Sequence, residues 1–462
     1  MREFRWSHVN PYCILKDLLV NLWVVILCAA IAWMGTQIVL ENLYRPEYTS
    51  AATYYITPRD STKPAYSNIS TGGQMAGALV SVFQSQVLEQ KTAEAMGLER
   101  LTASVMASQI QYTNLLRLQA VAGSPEEAFR TMRAIMDTHP KVSDYVVNNA
   151  VVEVLEPPTV PSGPSNFIPL RQTQRSAALI AALLAVAALL ALSVLRDTVK
   201  TEVAVREMID APLYGTLPEE IKNKTLRSKL RNLNKAVLIT NPTTSFQFSE
   251  AIKRICTKME YAASLRGIKT FLIASASENE GKSTAAVNLA LGLLKRGYRV
   301  LLLDGDLKRP AVYKLLDRSA VTIKELSSYL HGRASLEDVI AVDERTGLHL
   351  LINRHSSRNS ADLLASPQMT QLIHDVAGMM DFVIVDSPPL ALAADTEALS
   401  ALCDAALLVV WQDHSYVQTV NDAVDKLSDN TELLGCIFNR QHTLPLPGGS
   451  AGRRYDYYYR KA

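Results

Sequence analysis

Residues able to hold a phosphate and a divalent cation recur three times in the second half of the chain. In "TFLIASASENEGKSTAAVNLALGLL" an apolar run ends, a polar loop follows, and Gly281, Lys282, Ser283 and Thr284 open a second apolar run. A phosphate needs backbone N–H donors and the positive end of a helix, and a strand-to-helix turn supplies both. Gly281 allows close backbone approach, and Lys282 can neutralise β- and γ-phosphate charge. Ser283 has the hydroxyl to ligate Mg2+, Thr284 can bond an α-phosphate oxygen, and Glu280 completes the nucleotide-binding loop. The first glycine of the usual G-x-x-x-x-G-K-[ST] pattern is replaced by Ala276. "LLLDGDLKRP" sets Asp304 and Asp306 after another apolar run, and "DFVIVDSPP" sets Asp386 after a third. A single aspartate in such a place is commonly a turn or capping residue. Three of them beside a phosphate loop point to a metal–nucleotide site, because ligands of parallel sheets sit at the carboxyl ends of the strands.

A different chemistry is concentrated in "GGSAGRRYDYYYRKA", where Tyr455, Tyr457, Tyr458 and Tyr459 fall close together. One reading is an edge strand or docking peptide that uses tyrosine as an amphipathic anchor. The other is a phosphoryl acceptor. "LPLPGGSAG" before it reads as a tether, and about twelve flexible residues reach ~19 Å r.m.s.. Arg453, Arg454, Arg460 and Lys461 against Asp456 make the tail cationic. Each phosphate adds about −1.5 to −2 charge, so two or three modifications reverse its sign.

These residues need a scaffold, and the pattern from about Thr240 onward provides one. Apolar, β-branched runs such as "TFLIAS", "RVLLLD", "DFVIVD" and "AALLVVW" alternate with helical stretches. That is the signature of an α/β, P-loop NTPase-like domain, a mostly parallel sheet with helices on both faces. Two earlier runs have no charged residue, Leu18–Leu40 and Ser176–Leu195. Each is long enough to cross a ~30 Å hydrocarbon layer as a helix. Between them, "TSAATYYITP" and "YVVNNAVVEVLEPP" read as strands, and "GGQMAGALVSVFQSQVLEQKTAEAMG" and "SPEEAFRTMRAIMDTH" as helices, forming a small α+β module. The expected organisation is therefore 1–17, a cytoplasmic start; 18–40, a first membrane helix; 41–175, an extracytoplasmic domain; 176–195, a second membrane helix; 196–240, a juxtamembrane linker; 241–442, the nucleotide domain; and 443–462, a flexible tyrosine-rich tail. Lys222, Lys224, Arg227, Lys229, Arg231 and Lys235 form a basic run in the linker, either solvated or facing anionic lipid. A net charge of +2 argues against bulk nucleic-acid binding. The five cysteines have no metal spacing and none lies between residues 41 and 175, so free thiols are expected.

The combination "ENEGKST", "YRVLLLDGDLKRP" and "VIVDSPP" resembles the bacterial tyrosine kinases of capsule and exopolysaccharide synthesis, over about residues 235–462. Residues 1–220 resemble their usual membrane partner, the polysaccharide co-polymerase or chain-length determinant. That likeness rests on the two spans, on "PPTVPSGPSN" and on "LRDTVKTEVAVREMIDAPLYGTLP". The resemblance implies an ATP- and Mg2+-dependent tyrosine autokinase that regulates polysaccharide chain length or export. In it Lys282 and Ser283 hold phosphates and metal, and Asp386 supports the metal. Asp304 and Asp306 share metal coordination, and one of them, with Asp304 preferred, takes the tyrosine proton. The tail tyrosines are the implied autophosphorylation sites, modified in trans between copies of the chain. Further implied partners are the polysaccharide polymerase and export machinery, a tyrosine phosphatase and the membrane. Because ATP is cytoplasmic, both termini are expected inside the bacterial plasma membrane and residues 41–175 outside. The sequence departs from the family pattern at Lys308, where arginine is usual, and in the assembly motif, which reads Glu250, Lys253 and Cys256. The last departure motivates the alternative of a nucleotide-binding co-polymerase scaffold with little kinase activity. The related partition and septum-site ATPases carry an extra lysine early in the loop that "SASENEGKS" lacks.

Overall fold

The computed structural model describes residues 8–59, 65–140, 142, 150–220, 236–316, 324–357, 359–390 and 395–442. The tail tyrosines 455, 457, 458 and 459, and the basic run from Lys222 to Lys235, lie outside the described residues. Two compact units are present: residues 23–186, and residues 1–22 together with 187–462.

The chain begins with helix α1 (Pro11–Val20), capped by Asn10, whose side chain accepts from Tyr12 N–H. Asn21 ends it, its amide bonding Asp17 O at 2.8 Å. The apolar helix α2 (Leu22–Leu43) then follows. The first span thus starts about one turn later than the charge-free run suggested, because an asparagine, though uncharged, is an effective helix terminator. The second apolar helix, α6 (Leu170–Leu195), also extends the expected 176–195 backward, taking in Arg171 and Arg175. At 1.5 Å per residue these helices are ~33 and ~39 Å long, enough to span a bilayer. Only 6% of each apolar window is covered by protein, so neither is a buried core helix.

Residues 23–186 carry a four-stranded antiparallel sheet of order β2-β3-β1-β4, from β1 (Tyr48–Pro58), β2 (Ser104–Gln109), β3 (Leu115–Ala122) and β4 (Ala150–Glu156). Helices α3 (Ala65–Phe83), α4 (Gln86–Ala95) and α5 (Pro125–Thr138) complete this unit. Tyr54, Ile56, Leu116 and Leu118 from the sheet share a core with Leu79, Leu88, Met132 and Ile135 from these helices. The anticipated single helix 72–97 is two, divided where the Ser85 hydroxyl caps Leu88 N–H. The β2–β3 hairpin was not anticipated, although buried Leu116, Leu118 and Ala120 alternate with more exposed Arg117 and Gln119, the period of a half-buried strand.

The other unit is built on an eight-stranded sheet of order β5-β12-β11-β6-β10-β7-β9-β8. Its strands are β5 (Leu213–Pro218), β6 (Thr270–Ser275), β7 (Val300–Asp304), β8 (Ala341–Val342), β9 (His349–Leu351), β10 (Phe382–Asp386), β11 (Ala405–Trp411) and β12 (Glu432–Gln441). All pairings are parallel except β8 with β9. Alternate residues enter opposite cores. Helix α7 (Glu202–Met208) precedes β5. Phe271, Ile273, Ile384 and Val409 meet α8 (Phe246–Arg266) and α9 (Lys282–Leu294) on one face. Leu272, Ala274, Val385 and Leu408 meet α10 (Pro367–Met379) and α11 (Val417–Ser428) on the other. Burying both faces explains why these strands read as continuous apolar runs.

Two expectations change here. The stretch 196–240 is not only a linker, since Leu213–Pro218 is the edge strand of the sheet, paired in parallel with β12. Its Gly215 lies so close to Ile255 of α8 that a Cβ would fall 2.5 Å from the isoleucine Cγ1. Cys256 is fully buried between α8 and α9, against Gly292, where an added Cβ would meet its sulfur at 2.7 Å. The missing basic residue of the assembly motif is therefore a core position in this chain.

Candidate functional site

Strand β6 ends at Ser275 and α9 starts at Lys282, so residues 276–281 form the loop at the carboxyl end of the central strand. Asn279 (φ 63°) and Gly281 (φ 94°) adopt left-handed backbone conformations. A side chain at 281 would be strained there and would bring its Cβ 2.3 Å from Asn439 Nδ2. That amide donates to Glu280 O at 2.8 Å, so the end of β12 holds the loop from outside.

Glu280 is placed differently from the expectation that it meets the cofactor. Its side chain is completely buried and accepts from Ser277 N–H at 3.0 Å and from the Ser415 hydroxyl. Burial pushes its pKa up to about 7, against the pull of those hydrogen bonds. The carboxyl is a buckle beneath the loop and does not line the cavity.

Above the loop lies a cavity of about 470 Å3. Gly281, Lys282, Ser283 and Thr284 line it on one side, with Asp306, Lys308, Arg309, Lys314, Pro388 and Arg440 around them. The lining carries more cationic than acidic side chains, which suits an anionic ligand. Lys282 Nζ is 3.3 Å from Asp306 Oδ2. Burial presses the lysine pKa down, but Asp386, Asp306 and Asp304 outweigh it and hold the amine protonated. Lys308 Nζ reaches the buried carboxylate of Asp395 at 3.1 Å, which also accepts from Ser360 Oγ at 2.7 Å.

Asp304 and Asp386 are register partners at the ends of β7 and β10. Both are fully buried. Asp304 Oδ2 accepts from Ala311 and Val312 N–H, each at 3.2 Å. Its Oδ1 and both oxygens of Asp386 have no hydrogen-bond partner. Burial, then the neighbouring Asp386 charge, lifts the Asp304 pKa well above the carboxylate range. Burial lifts that of Asp386 to about 6, opposed by Lys282 and by the nearby Ser283 hydroxyl. Unpartnered buried carboxylate oxygens are costly unless protonated or neutralised by a cation. Carboxylate and hydroxyl oxygens are the donors Mg2+ selects, and that ion usually takes only one or two carboxylates beside water and phosphate. The described residues contain no group of three or more His, Cys, Asp or Glu side chains that could hold a metal ion.

The structure thus gathers Lys282, Ser283, Asp304, Asp306 and Asp386 at the carboxyl ends of the neighbouring strands β6, β10 and β7. Asp306 lines the cavity, while Asp304 is enclosed and its Oδ2 caps a turn. Asn439, Arg440, Trp411 and Ser415 were overlooked. The signal that could have found them is the "FNR" step, where a buried apolar strand ends in polar residues, as it does before Asp304 and Asp386.

The AAA domain family model matches residues 269–432. The tyrosine-protein kinase YwqD of Bacillus subtilis (strain 168) is 32% identical over 192 residues, covering 41% of this chain and 80% of that protein. The tyrosine-protein kinase CpsD of Streptococcus agalactiae is 30% identical over 175 residues, 37% of this chain and 75% of that one. The succinoglycan biosynthesis transport protein ExoP of Rhizobium meliloti (strain 1021) is 35% identical over 176 residues, 37% of this chain and 22% of that one. With that likeness over most of the first two relatives, the chain belongs to the bacterial tyrosine kinases of capsule and exopolysaccharide synthesis.

Proposed function

We propose that the chain is a membrane-anchored, ATP-dependent tyrosine autokinase that phosphorylates Tyr455, Tyr457, Tyr458 and Tyr459 and acts as a polysaccharide co-polymerase. The observation that carries the reading is the set of buried, unpartnered oxygens of Asp304 and Asp386 beside a phosphate loop with a protonated lysine. The N-terminus of α9 and Lys282 bind the β- and γ-phosphates. Ser283 and Asp386 would hold Mg2+, with Asp304 behind them, and the ion would supply neutralisation of phosphate charge. Asp306 stands at the cavity wall, where it can accept the phenol proton as the tyrosine oxygen attacks in line. A tyrosine has a reference pKa of about 10, so a positioned base is needed. Transfer between copies makes the chain its own partner. Polymerase and export components, and a resetting phosphatase, act on the same reading. ATP use places both termini in the cytoplasm and residues 41–175 outside the plasma membrane.

The test is incubation of the detergent-solubilised full chain with radiolabelled ATP and Mg2+. Phosphotyrosine is expected on the tail, and its loss is expected with Lys282→Met and with all four tail tyrosines changed to Phe. Binding of ATP with no phosphotyrosine would leave a scaffold. Label that survives the four-Phe change would move the acceptor elsewhere.

A further inference from the structure

We infer that Asp395, backed by Ser360, is a positioning residue that aims Lys308 at the phosphoryl group in transfer. This deepens the kinase reading of the cavity and rests on it. Lys282 and Arg309 pair with Asp306 and Glu278, carboxylates that line the cavity themselves. Lys308 also lines the cavity, but its partner Asp395 stands outside the lining. The lysine side chain is 46% exposed and the aspartate side chain only 2%, so the amine meets the cavity while its anchor lies behind the wall.

Asp395 is built to hold one direction. Both of its oxygens face the amine, Oδ1 at 3.2 Å and Oδ2 at 3.1 Å. Oδ2 also accepts from the buried Ser360 hydroxyl at 2.7 Å. Asp395 opens a short helix (Asp395–Ser400), and Thr396 pins that helix by donating its hydroxyl to Pro388 O at 2.7 Å. On the lysine side, Ser357 N–H donates to Leu307 O at 2.8 Å. The carboxylate is thus fixed by contacts within the protein. An ammonium has three N–H donors. Two can meet the oxygens of Asp395, which leaves the third for the cavity. A lysine is a point charge on a flexible stem, and such an anchor gives it a direction.

The place of Lys308 fits the transferred group. It lies two residues beyond Asp306, in the loop after β7, whereas Lys282 and Ser283 follow β6, with β10 between these strands. Lys282 therefore meets the phosphates from the side of the phosphate loop, and Lys308 from the side of the residue that takes the phenol proton. Charge on a phosphoryl group in transfer is spread over its outer oxygens. A donor oriented in advance stabilises that charge without reorganisation. Losing the anchor should slow transfer and leave ATP binding nearly unchanged.

The experiment follows the rate of phosphotyrosine formation at saturating ATP, and ATP binding by calorimetry, in the full chain in detergent with Mg2+. Asp395→Asn keeps an acceptor for Ser360 and removes the charge. It is expected to slow the rate about tenfold, with the ATP dissociation constant moving less than about twofold. Lys308→Met should slow the rate at least as much, and adding Asp395→Asn to it should cost nothing further, because the aspartate acts through the lysine. Retained ATP binding shows that each variant is folded. If Lys308→Met fails that check, Ser360→Ala decides in its place: it loosens Asp395 and leaves the charge pair, and a slower rate at unchanged ATP affinity is expected. The inference is overturned by equal rate losses from Asp395→Asn with and without Lys308, by an unchanged rate in Asp395→Asn or in Ser360→Ala, or by rate and ATP affinity falling together. A wild-type chain that binds ATP and forms no phosphotyrosine overturns the kinase reading itself.

Discussion

Replacing Glu280 by Gln tests the buried buckle beneath the phosphate loop. The carboxyl has an ordinary value of 4.5 and is raised to about 7 by burial. The folded chain therefore binds this proton more tightly than the unfolded chain does. Its contribution to stability is complete below pH 4.5 and is lost as pH rises through about 7. A rise of that size corresponds to ~3 kcal/mol at 1.36 kcal/mol per pKa unit. Glutamine carries no charge, keeps an acceptor for Ser277 N–H and offers a donor to Ser415 Oγ. Thermal unfolding of the full chain should thus show Glu280→Gln melting ~6–12 °C above wild type at about pH 8.5, using 2–4 °C per kcal/mol for a unit of this size. At about pH 5 the two should nearly coincide, because wild type then folds with the carboxyl protonated. Asp304 and Asp386 titrate in both proteins and cancel in the comparison. A gap of equal size at both pH values would refute the reasoning, and so would a wild type that gains on the variant as pH rises through 7.

Gly281→Ala should cost about 1–2 kcal/mol for a left-handed alanine, plus about 1 kcal/mol for a displaced Asn439 bond; a lowered melting temperature together with weaker nucleotide binding is the expected result. Asp386→Asn removes a buried charge whose oxygens have no partner, so its melting temperature without nucleotide should rise at about pH 8 while Mg2+-dependent phosphotyrosine formation disappears. A variant that loses both stability and activity would mean that Asp386 is neutralised by contacts inside the protein.

The chemistry-bearing positions were legible because they end strands whose apolar runs are unmistakable: Ser275, Asp304 and Asp386 each close a stretch with every residue buried. Their partners were not legible, since proximity of Asn439 to Glu280 or of Ser415 to Glu280 depends on which strands become neighbours. A parallel sheet of order β5-β12-β11-β6-β10-β7 brings together residues far apart in sequence, and alternation alone cannot supply that order. For the same reason the different placements of Asp304 and Asp306 were not legible. Asp304 closes β7 and Asp306 follows it, but only the fold shows that Asp304 Oδ2 caps two backbone N–H groups while Asp306 lines the cavity beside Lys282. In residues 23–186 strands β2 and β3 were hidden by small and polar residues, and only the alternation of β3 betrays them.

The segment after the second apolar helix shows why charge pattern misled most there. Its lysines and acids suggest a solvated connector, yet Lys200 is almost fully buried and its Nζ donates to Ser193 O at 2.5 Å and Arg196 O at 2.9 Å. Those carbonyls belong to the end of α6, where helix geometry leaves acceptors without donors. The neighbouring backbone is clasped by the turn after β11: Val199 N–H donates to Ser415 O at 3.0 Å, and Asp413 and Val417 N–H donate to Val199 O and Asp197 O. Ser415 therefore supports the end of the apolar helix with its backbone and the phosphate loop, through Glu280, with its hydroxyl. Asn10, at the start of α1, joins the same junction by donating to Lys200 O and His442 O. A flexible tether would need none of these bonds. With them, residues 197–200 are bonded to the turn after β11 and belong to the nucleotide domain.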